Sequence, residues 1–396
     1  MNDTESRLRD YLDTKAATVP TNEQGPGLLA ETTHRRSPWP VLATAASVAA
    51  VLALTVTVLT NLGPDNASPA GPSPLTNEAP KVPYSVTGDG PQFKGTVYDG
   101  SRSLPLPAGL RAVAARVPGG WLTEYFVQEA PSVDPHVGIL KSNGTFQRLG
   151  PKRALSPILS PDGQQVAMTT YPTQSGRVVV HDIASGAEVA SIPLPPNKAG
   201  ALSWNKTGIW LDSGVPWATD RLYVWKPGEK KARPVQTPKG FEGIATTPNS
   251  DLVVFSTGPE RTAPKPGQNF ATTKPEPAVD HCLQIGVLRN NAIDVQREYC
   301  EKTVLGLSAA LSPDGQRVVN TTSKLTIDVA TGKITKLDIP DRFDGTPVFE
   351  DATKLLAVTE PETGTGPKRL YRCEVTTGEC KLLRTEKDKY ITLARP

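Results

Sequence analysis

The sequence lacks the motifs that mark most enzymes and metal-binding proteins. It contains no H-E-x-x-H, G-x-S-x-G, Walker A or EF-hand pattern. Its 43 basic residues are balanced by 40 acidic ones, and no basic stripe suggests a nucleic-acid footprint. We therefore expect no catalytic residues, no cofactor, no metal site and no nucleic-acid partner.

Charge is also absent from residues 39–62, which read WPVLATAASVAAVLALTVTVLTNL. At about 1.5 Å per residue, a helix of this length crosses a hydrocarbon core of roughly 30 Å. His34, Arg35 and Arg36 precede the segment, and no Lys or Arg follows it until Lys81. Because positive flanks stay inside, we predict a single-pass signal-anchor with the N-terminus in the cytoplasm.

A cleaved signal peptide is the alternative interpretation of this segment. Its charged region would have to extend over all 38 preceding residues, and its apolar run would be about twice the usual length. No A-x-A site follows at the right distance, and no cysteine is available for lipidation. We therefore favour the anchor.

The segments on either side of the predicted span contain little that could form a core. Residues 63–83 hold six prolines and no aromatic residue, which predicts a semi-extended linker. In the tail, residues 1–38, a short helical pattern places Leu8, Tyr11 and Leu12 on one face. The tail is either a frayed topology signal or a docking helix for a cytoplasmic protein, with these three side chains as anchors.

The rest of the chain is rich in turns, since the sequence holds 39 prolines and 33 glycines. Two stretches are nearly identical, each a Pro-Asp-Gly turn before a β-branched strand: Ser160-Pro161-Asp162-Gly163 and Ser312-Pro313-Asp314-Gly315. Six further turns join alternating strands, at Ser142-Asn143-Gly144, Ala184-Ser185-Gly186, Lys226-Pro227-Gly228, Asn290-Asn291, Ala330-Thr331-Gly332 and Thr376-Thr377-Gly378.

These six hairpin turns lie 42, 42, 64, 40 and 46 residues apart, and a Pro-rich insertion at 258–279 accounts for the long step. A period near 40 with four short strands is typical of a β-propeller. A seventh unit could combine the hairpin at 95–107 with a C-terminal strand at 390–393, which would leave no open edge. We predict an all-β propeller over residues 84–396 with seven four-stranded blades, and six blades as the alternative.

The S-P-D-G-Q turn followed by V-x-D-x-A-[ST]-G resembles the repeats of TolB-like and WD-repeat-like bacterial propellers. The whole layout, with its R-L-R-D-Y-L tail, Arg-Arg pair, apolar segment, Pro-rich linker and propeller, resembles membrane-anchored propeller proteins of actinobacteria. Such proteins are often found beside extracytoplasmic-function sigma factors. The Gly-His and Trp-Asp dipeptides of true WD repeats are absent, so the resemblance concerns architecture and not chemistry.

All four cysteines follow the apolar segment. Cys282 and Cys300 are symmetric about the Asn290-Asn291 turn, and Cys373 and Cys380 about Thr376-Thr377. Each pair therefore faces across its own hairpin, which predicts two disulfides and an oxidising compartment outside the membrane. Four free thiols or a metal site are the alternatives, but neither pair has C-x-x-C spacing.

The aromatic residues and histidines give weaker signals. Six tryptophans are present, and four of them lie within one repeat, where packing between blades is the default role. Trp217, in the sequence VPWATD, is a candidate ligand platform if it is exposed on a ring face. His136, His181 and His281 are isolated in sequence, and we expect packed or solvated side chains.

These observations favour a non-enzymatic propeller that binds or senses an extracytoplasmic protein, polymer or small ligand. The alternative is a transmembrane regulator whose tail binds a sigma factor or another cytoplasmic protein. A propeller hydrolase or lyase ranks third, and would require two or more titratable residues together at the ring axis.

Overall fold

The structure is a computed structural model that describes residues 75–88, 94–129, 132–170, 176–194, 200–212, 222–258, 279–303 and 309–395. The regular elements within these ranges are strands. No helix in the described ranges is long and apolar enough to cross a membrane. The predicted span at 39–62 and the predicted tail anchors Leu8, Tyr11 and Leu12 lie outside them.

The strands pair into seven antiparallel sheets, which are the blades of a propeller. Blade 1 contains β1 (Tyr84–Gly88), β2 (Gly95–Asp99), β3 (Arg102–Leu106) and the last strand of the chain, β29 (Lys389–Leu393). Blade 2 contains β4 (Leu110–Val117), β5 (Gly120–Glu129), β6 (Ser132–Lys141) and β7 (Phe146–Leu149). Blade 3 contains β8 (Ala154–Leu159), β9 (Gln165–Thr170), β10 (Arg177–Asp182) and β11 (Glu188–Pro193).

The remaining strands form four more blades in chain order. Blade 4 contains β12 (Gly200–Asn205), β13 (Gly208–Asp212), β14 (Leu222–Trp225) and β15 (Arg233–Val235). Blade 5 contains β16 (Phe241–Thr246), β17 (Leu252–Thr257), β18 (Val279–Arg289) and β19 (Ala292–Thr303). Blade 6 contains β20 (Ala309–Leu311), β21 (Arg317–Asn320), β22 (Leu325–Asp328) and β23 (Ile334–Lys336). Blade 7 contains β24 (Arg342–Phe343), β25 (Val348–Phe349), β26 (Lys354–Glu360), β27 (Lys368–Glu374) and β28 (Cys380–Glu386).

In blades 2 to 6 the first strand lies at the ring axis, and in blade 1 the inner strand is β29. These inner strands contact one another in turn, from β29 to β4, β8, β12, β16 and β20. In blade 7 the inner position is shared by two short strands, β24 and β25, which both pair with β26. The prediction of seven blades is confirmed, and six is wrong.

The repeated turns join the inner strand to the second strand in blades 3 and 6. In blade 3 the backbone N–H of Gln164 donates to the Asp162 carboxylate at 3.0 Å, and that of Gln165 donates to the Ser160 hydroxyl at 2.9 Å. The turn at Ser312 and Asp314 in blade 6 repeats both bonds at the same lengths. The repeated aspartates therefore stabilise turns, as the sequence predicted.

The core lies between neighbouring blades. One cluster joins Val178 and Val180 of blade 3 to Trp204 and Trp225 of blade 4. Trp210, also in blade 4, is fully buried and donates to the Asn205 side chain at 3.0 Å. These three tryptophans are core residues, in agreement with the default expectation.

The ring is closed by strands from two distant parts of the chain. β29 pairs with β1 over five residue pairs, from Tyr84 opposite Leu393 to Gly88 opposite Lys389. The predicted closure by the 95–107 hairpin and the C-terminal strand is confirmed. The sequence analysis missed β1, which lies between them in the sheet.

Blade 7 is fastened to blade 1 by Arg384. Its guanidinium lies 4.2 Å from the centroid of the Tyr98 ring, which stacks on Tyr84 at 5.0 Å. It also donates to Glu386 at 2.7 Å. Burial opposes the charge of Arg384, but the hydrogen bonds with Glu386, Tyr84 and Tyr98 outweigh it and raise the pKa of the guanidinium.

Residues 75–83, which the sequence assigned to the linker, contact blade 7. Arg372 forms a buried ion pair with Glu350, at 2.5 Å, in which the two side chains are 4% and 1% exposed. The same guanidinium donates to the carbonyls of Thr76 and Glu78 at 3.2 and 3.0 Å. One buried charge pair therefore holds this segment on the propeller.

We expect Arg372→Ala to destabilise the propeller by about 3–5 kcal/mol, because it leaves the Glu350 carboxylate buried without its cation. Replacing both residues by Met should restore much of the loss. Lys81→Ala, which removes an exposed pair with Asp351, should cost less than about 1 kcal/mol. Urea unfolding followed by tryptophan fluorescence measures all three. Equal losses of unfolding free energy in Arg372→Ala and Lys81→Ala would contradict the stabilising role of the buried pair.

A candidate ligand site on the propeller axis

The inner strands all run in the same direction along the ring axis. The position of a residue within its inner strand therefore gives its distance from either face of the ring. We call the end where these strands begin the upper face, and the end where they meet the Ser160 and Ser312 turns the lower face. Two cavities lie along the axis between these faces. The upper cavity has a volume of about 420 Å³ and the lower one about 350 Å³. They adjoin, since they share five lining residues, which are Ile158, Leu202, Thr346, Val348 and Arg395.

Glu124 and Ser156 line the upper cavity on the side of blades 2 and 3. Ser156 lies in a bulge of β8, and its φ of 53° is in the left-handed region that residues other than glycine rarely adopt. The bulge takes the Ser156 N–H away from the sheet, and it donates to the Glu124 carboxylate at 2.8 Å. This bond links the two blades at the axis.

Asp344 and Tyr390 line the same cavity on the side of blades 7 and 1. Asp344 pairs with Lys368 at 2.8 Å, and Lys368 also pairs with Glu360. Glu360 in turn accepts from Arg342 at 2.9 Å. The Tyr390 side chain is half exposed, with its ring 5.9 Å from the Lys368 ammonium.

This network shifts the pKa values of its members. The hydrogen bond from Lys368 holds the pKa of Glu360 below its ordinary value, although burial acts in the other direction. Burial acts to lower the pKa of Lys368, but hydrogen bonds to Asp344 and Glu360 outweigh it and raise that pKa. Both groups are therefore held in their charged forms.

Arg395 follows β29 and lies where the two cavities meet. Its backbone N–H donates to the Ala114 carbonyl of β4 at 2.6 Å, which fixes its place on the axis. The residue is exposed, and its guanidinium forms no ion pair with any residue that the structure describes. Arg395 thus adds a positive charge to the described lining of both cavities.

The lower cavity is mainly apolar. Leucine, isoleucine, valine, phenylalanine and alanine side chains from blades 3 to 7 surround it, together with Trp204, proline and a few serines and threonines. Arg395 is the one charged residue among the described residues that line it. This cavity can therefore accept an apolar group close to a positive charge.

The structure brings together only some of the residues that the sequence singled out. Both predicted disulfides are present, Cys282–Cys300 and Cys373–Cys380. Trp217 lies outside the described residues, so its role as a ligand platform stays a prediction.

The three histidines lie in three different strands, β6, β10 and β18, and each is buried. His136 stacks against Tyr125, and Nδ1 of His181 lies 3.0 Å from the Gly186 carbonyl oxygen. The structure therefore does not assemble them into one site.

One described group has the composition of a metal site, formed by Cys282, Glu298 and Cys300. Its two sulfurs are bonded to each other in the disulfide, so neither is available as a thiolate ligand.

The sequence analysis missed the axial residues Glu124, Ser156, Asp344, Tyr390 and Arg395. Only Tyr390 carried a signal, since the strand at 390–393 was expected to close the ring. The others become visible once the inner strand of each blade and its register are known.

The strand pairing defines the chain as a seven-bladed β-propeller protein. No family model and no curated protein matches the sequence. Solved propellers resemble it distantly. TolB from Acinetobacter baumannii is 12% identical, with a TM-score of 0.43 over 80% of this chain and 67% of that chain. The propeller domain of Cps50 (Swd1) from Myceliophteria thermophila is 14% identical, with a TM-score of 0.45 over 70% of this chain and 85% of that one.

An enzyme is also among the similar structures. Dihydro-heme d1 dehydrogenase NirN, in complex with DHE, is 13% identical, with a TM-score of 0.44 over 84% of this chain and 78% of that chain. Similarity at this level concerns the fold and carries no information on ligand or activity.

We expect acid to destabilise the propeller through Glu360. Because its pKa is lowered on folding, the stability it provides is complete above the unfolded value of 4.5 and is lost as pH falls through the folded value. Glu360→Gln should cost about 1–2 kcal/mol at neutral pH and should reduce the fall in melting temperature between about pH 6 and pH 3. Glu362, whose side chain is 69% exposed, pairs with Lys324. Glu362→Gln is the control and should change neither the stability at neutral pH nor the fall in melting temperature. An unchanged pH profile in Glu360→Gln would contradict this role.

Proposed function

We propose that this protein is a non-enzymatic binding protein, tethered to a bacterial cell membrane by residues 39–62, with its propeller outside the membrane. The ligand occupies the axial channel. The observation that carries the proposal is the pair of adjoining cavities on the axis, which Arg395 and the half-exposed Tyr390 help to line. Cavities of roughly 300–1,000 Å³ with a few polar groups are typical ligand sites.

A binding role is favoured over catalysis by the state of the two axial carboxylates. Glu124 accepts from the Ser156 backbone and Asp344 pairs with Lys368, so each already has a protein partner. Of the buried histidines, His136 lies in the strand next to that of Glu124 but stacks against Tyr125, and His181 and His281 lie in blades 3 and 5. The titratable residues at the axis therefore fit the positioning of a ligand better than proton transfer.

The two disulfides support a location outside the cytoplasm, because such bonds persist in oxidising compartments. The uncharged segment at 39–62 and the preceding Arg35 and Arg36 support the orientation. The resemblance to membrane-anchored propellers of actinobacteria supports the same location and orientation.

The alternative function is a transmembrane regulator whose tail binds a sigma factor or another cytoplasmic protein. The spacing of Leu8, Tyr11 and Leu12 on one helical face favours it. Loss of a cytoplasmic partner in Leu8→Asp would support this role, and unchanged binding would exclude those anchors.

The binding role predicts that a side chain that fills the channel abolishes ligand capture. Leu202 lines both cavities, so Leu202→Trp should block the axis. Val189→Trp, on the outer edge of blade 3 where Val189 is 50% exposed, is the matched control. Each full-length variant is crosslinked and purified from native membranes, and the retained small molecules and proteins are identified by mass spectrometry. Species lost from Leu202→Trp but kept by Val189→Trp are the expected result, whereas identical lists would refute axial binding.

The proposed topology has its own test. In spheroplasts, external protease should degrade a C-terminal epitope and leave an N-terminal one intact. Deletion of residues 39–62 should prevent the propeller from reaching the outside. A C-terminal epitope that is protected in intact spheroplasts would overturn the orientation.

A further inference from the structure

The lower cavity contains an imbalance of charge that the fold itself does not resolve. Arg395 is its one charged lining residue among those described, and no described carboxylate pairs with it. By contrast, Arg372, Arg342 and Arg384 each contact a glutamate. Arg395 is exposed, so a negative group that enters the cavity can reach its guanidinium.

The backbone at Arg395 is held by two hydrogen bonds. The Arg395 N–H donates to Ala114 of β4 at 2.6 Å, and the preceding residue, Ala394, is buried and donates to the Pro83 carbonyl at 2.9 Å. The Arg395 side chain therefore starts from a strand end that is held from two sides.

The nearby carboxylates do not take this role. Asp344 is paired with Lys368, and one oxygen of Glu124 accepts from the Ser156 N–H. Both line the upper cavity only, whereas Arg395 lines both cavities. A negative group that enters from below meets Arg395 before either acid.

We infer that the axial channel binds a small apolar carboxylate, with its apolar body in the lower cavity and its carboxylate on Arg395. The inference rests on the proposed axial binding function and adds the chemical class of the ligand. Guanidinium pairs with a planar carboxylate through two parallel hydrogen bonds, which gives orientation as well as affinity. The volume of about 350 Å³ is within the range of small-molecule sites.

A pair of probes that differ only in charge tests this assignment. 2-Naphthoate and 2-naphthalenemethanol share one apolar body, and only the first carries a carboxylate. Isothermal titration of the full-length protein should show that 2-naphthoate binds at least about tenfold more tightly than the alcohol. Trp204 lines the lower cavity, so its fluorescence should change as the ligand binds and should report the location.

Variants separate the charge from the cavity. Arg395→Gln should reduce the affinity for 2-naphthoate by about tenfold or more and leave that for the alcohol unchanged. Arg289→Gln, which removes an exposed arginine in blade 5, is the matched control and should leave the affinities for both probes unchanged. Leu202→Trp should abolish binding of both probes.

Three results would overturn the inference: no binding of 2-naphthoate up to about 1 mM, equal affinities for the two probes, or unchanged 2-naphthoate affinity in Arg395→Gln. If one of these occurs while Leu202→Trp still loses its native ligand, the axial binding function stands and the carboxylate class is wrong. If Leu202→Trp retains every native species, the binding function itself is wrong.

Discussion

The pairing of β29 with β1 is the interaction on which the rest of the structure depends. Six blades are each made from consecutive strands, and only blade 1 joins strands that are separated by most of the domain. Without this pairing, blade 1 would lose its inner strand and the ring would have exposed edges. β29 also carries Tyr390 and leads to Arg395, so ring closure and the completion of both axial cavities are one event.

At this closure, directional polar contacts add to an apolar cluster that joins blades 7, 1 and 2. Arg384 stacks on Tyr98 across blades 7 and 1, and Arg372 holds the segment before β1 against blade 7. Such contacts have strict geometry, since a guanidinium requires its acceptors in fixed directions. Apolar packing alone tolerates small shifts, whereas directional bonds at the junction favour one register for β29 and β1.

Much of the fold could be predicted because its turns repeat. Ser160 and Ser312 begin turns with the same hydrogen bonds, so the similarity of the two sequences reflects a structural repeat. The cysteine pairs were predictable for a similar reason, since each pair is symmetric about a hairpin turn and directly opposite in register. β1 was missed because it directly follows a Pro-rich stretch and has no turn in common with the repeats.

Ser156 could not be predicted as an axial residue, because β8 breaks the alternation on which sequence interpretation relies. β4, β8, β12 and β16 each contain at least one register shift, and a shift moves the following side chains to the opposite face. Glu124, Asp344 and Arg395 lie outside the inner strands, and only the packing of the blades brings them to the axis. In β8 the same shift places Ser156 at φ 53° and directs its N–H to Glu124. Strained backbone costs free energy, and Ser156 has such a conformation where β8 borders the upper cavity. The bulge turns a backbone N–H out of the sheet, and the Glu124 carboxylate that accepts from it is thereby held at the axis.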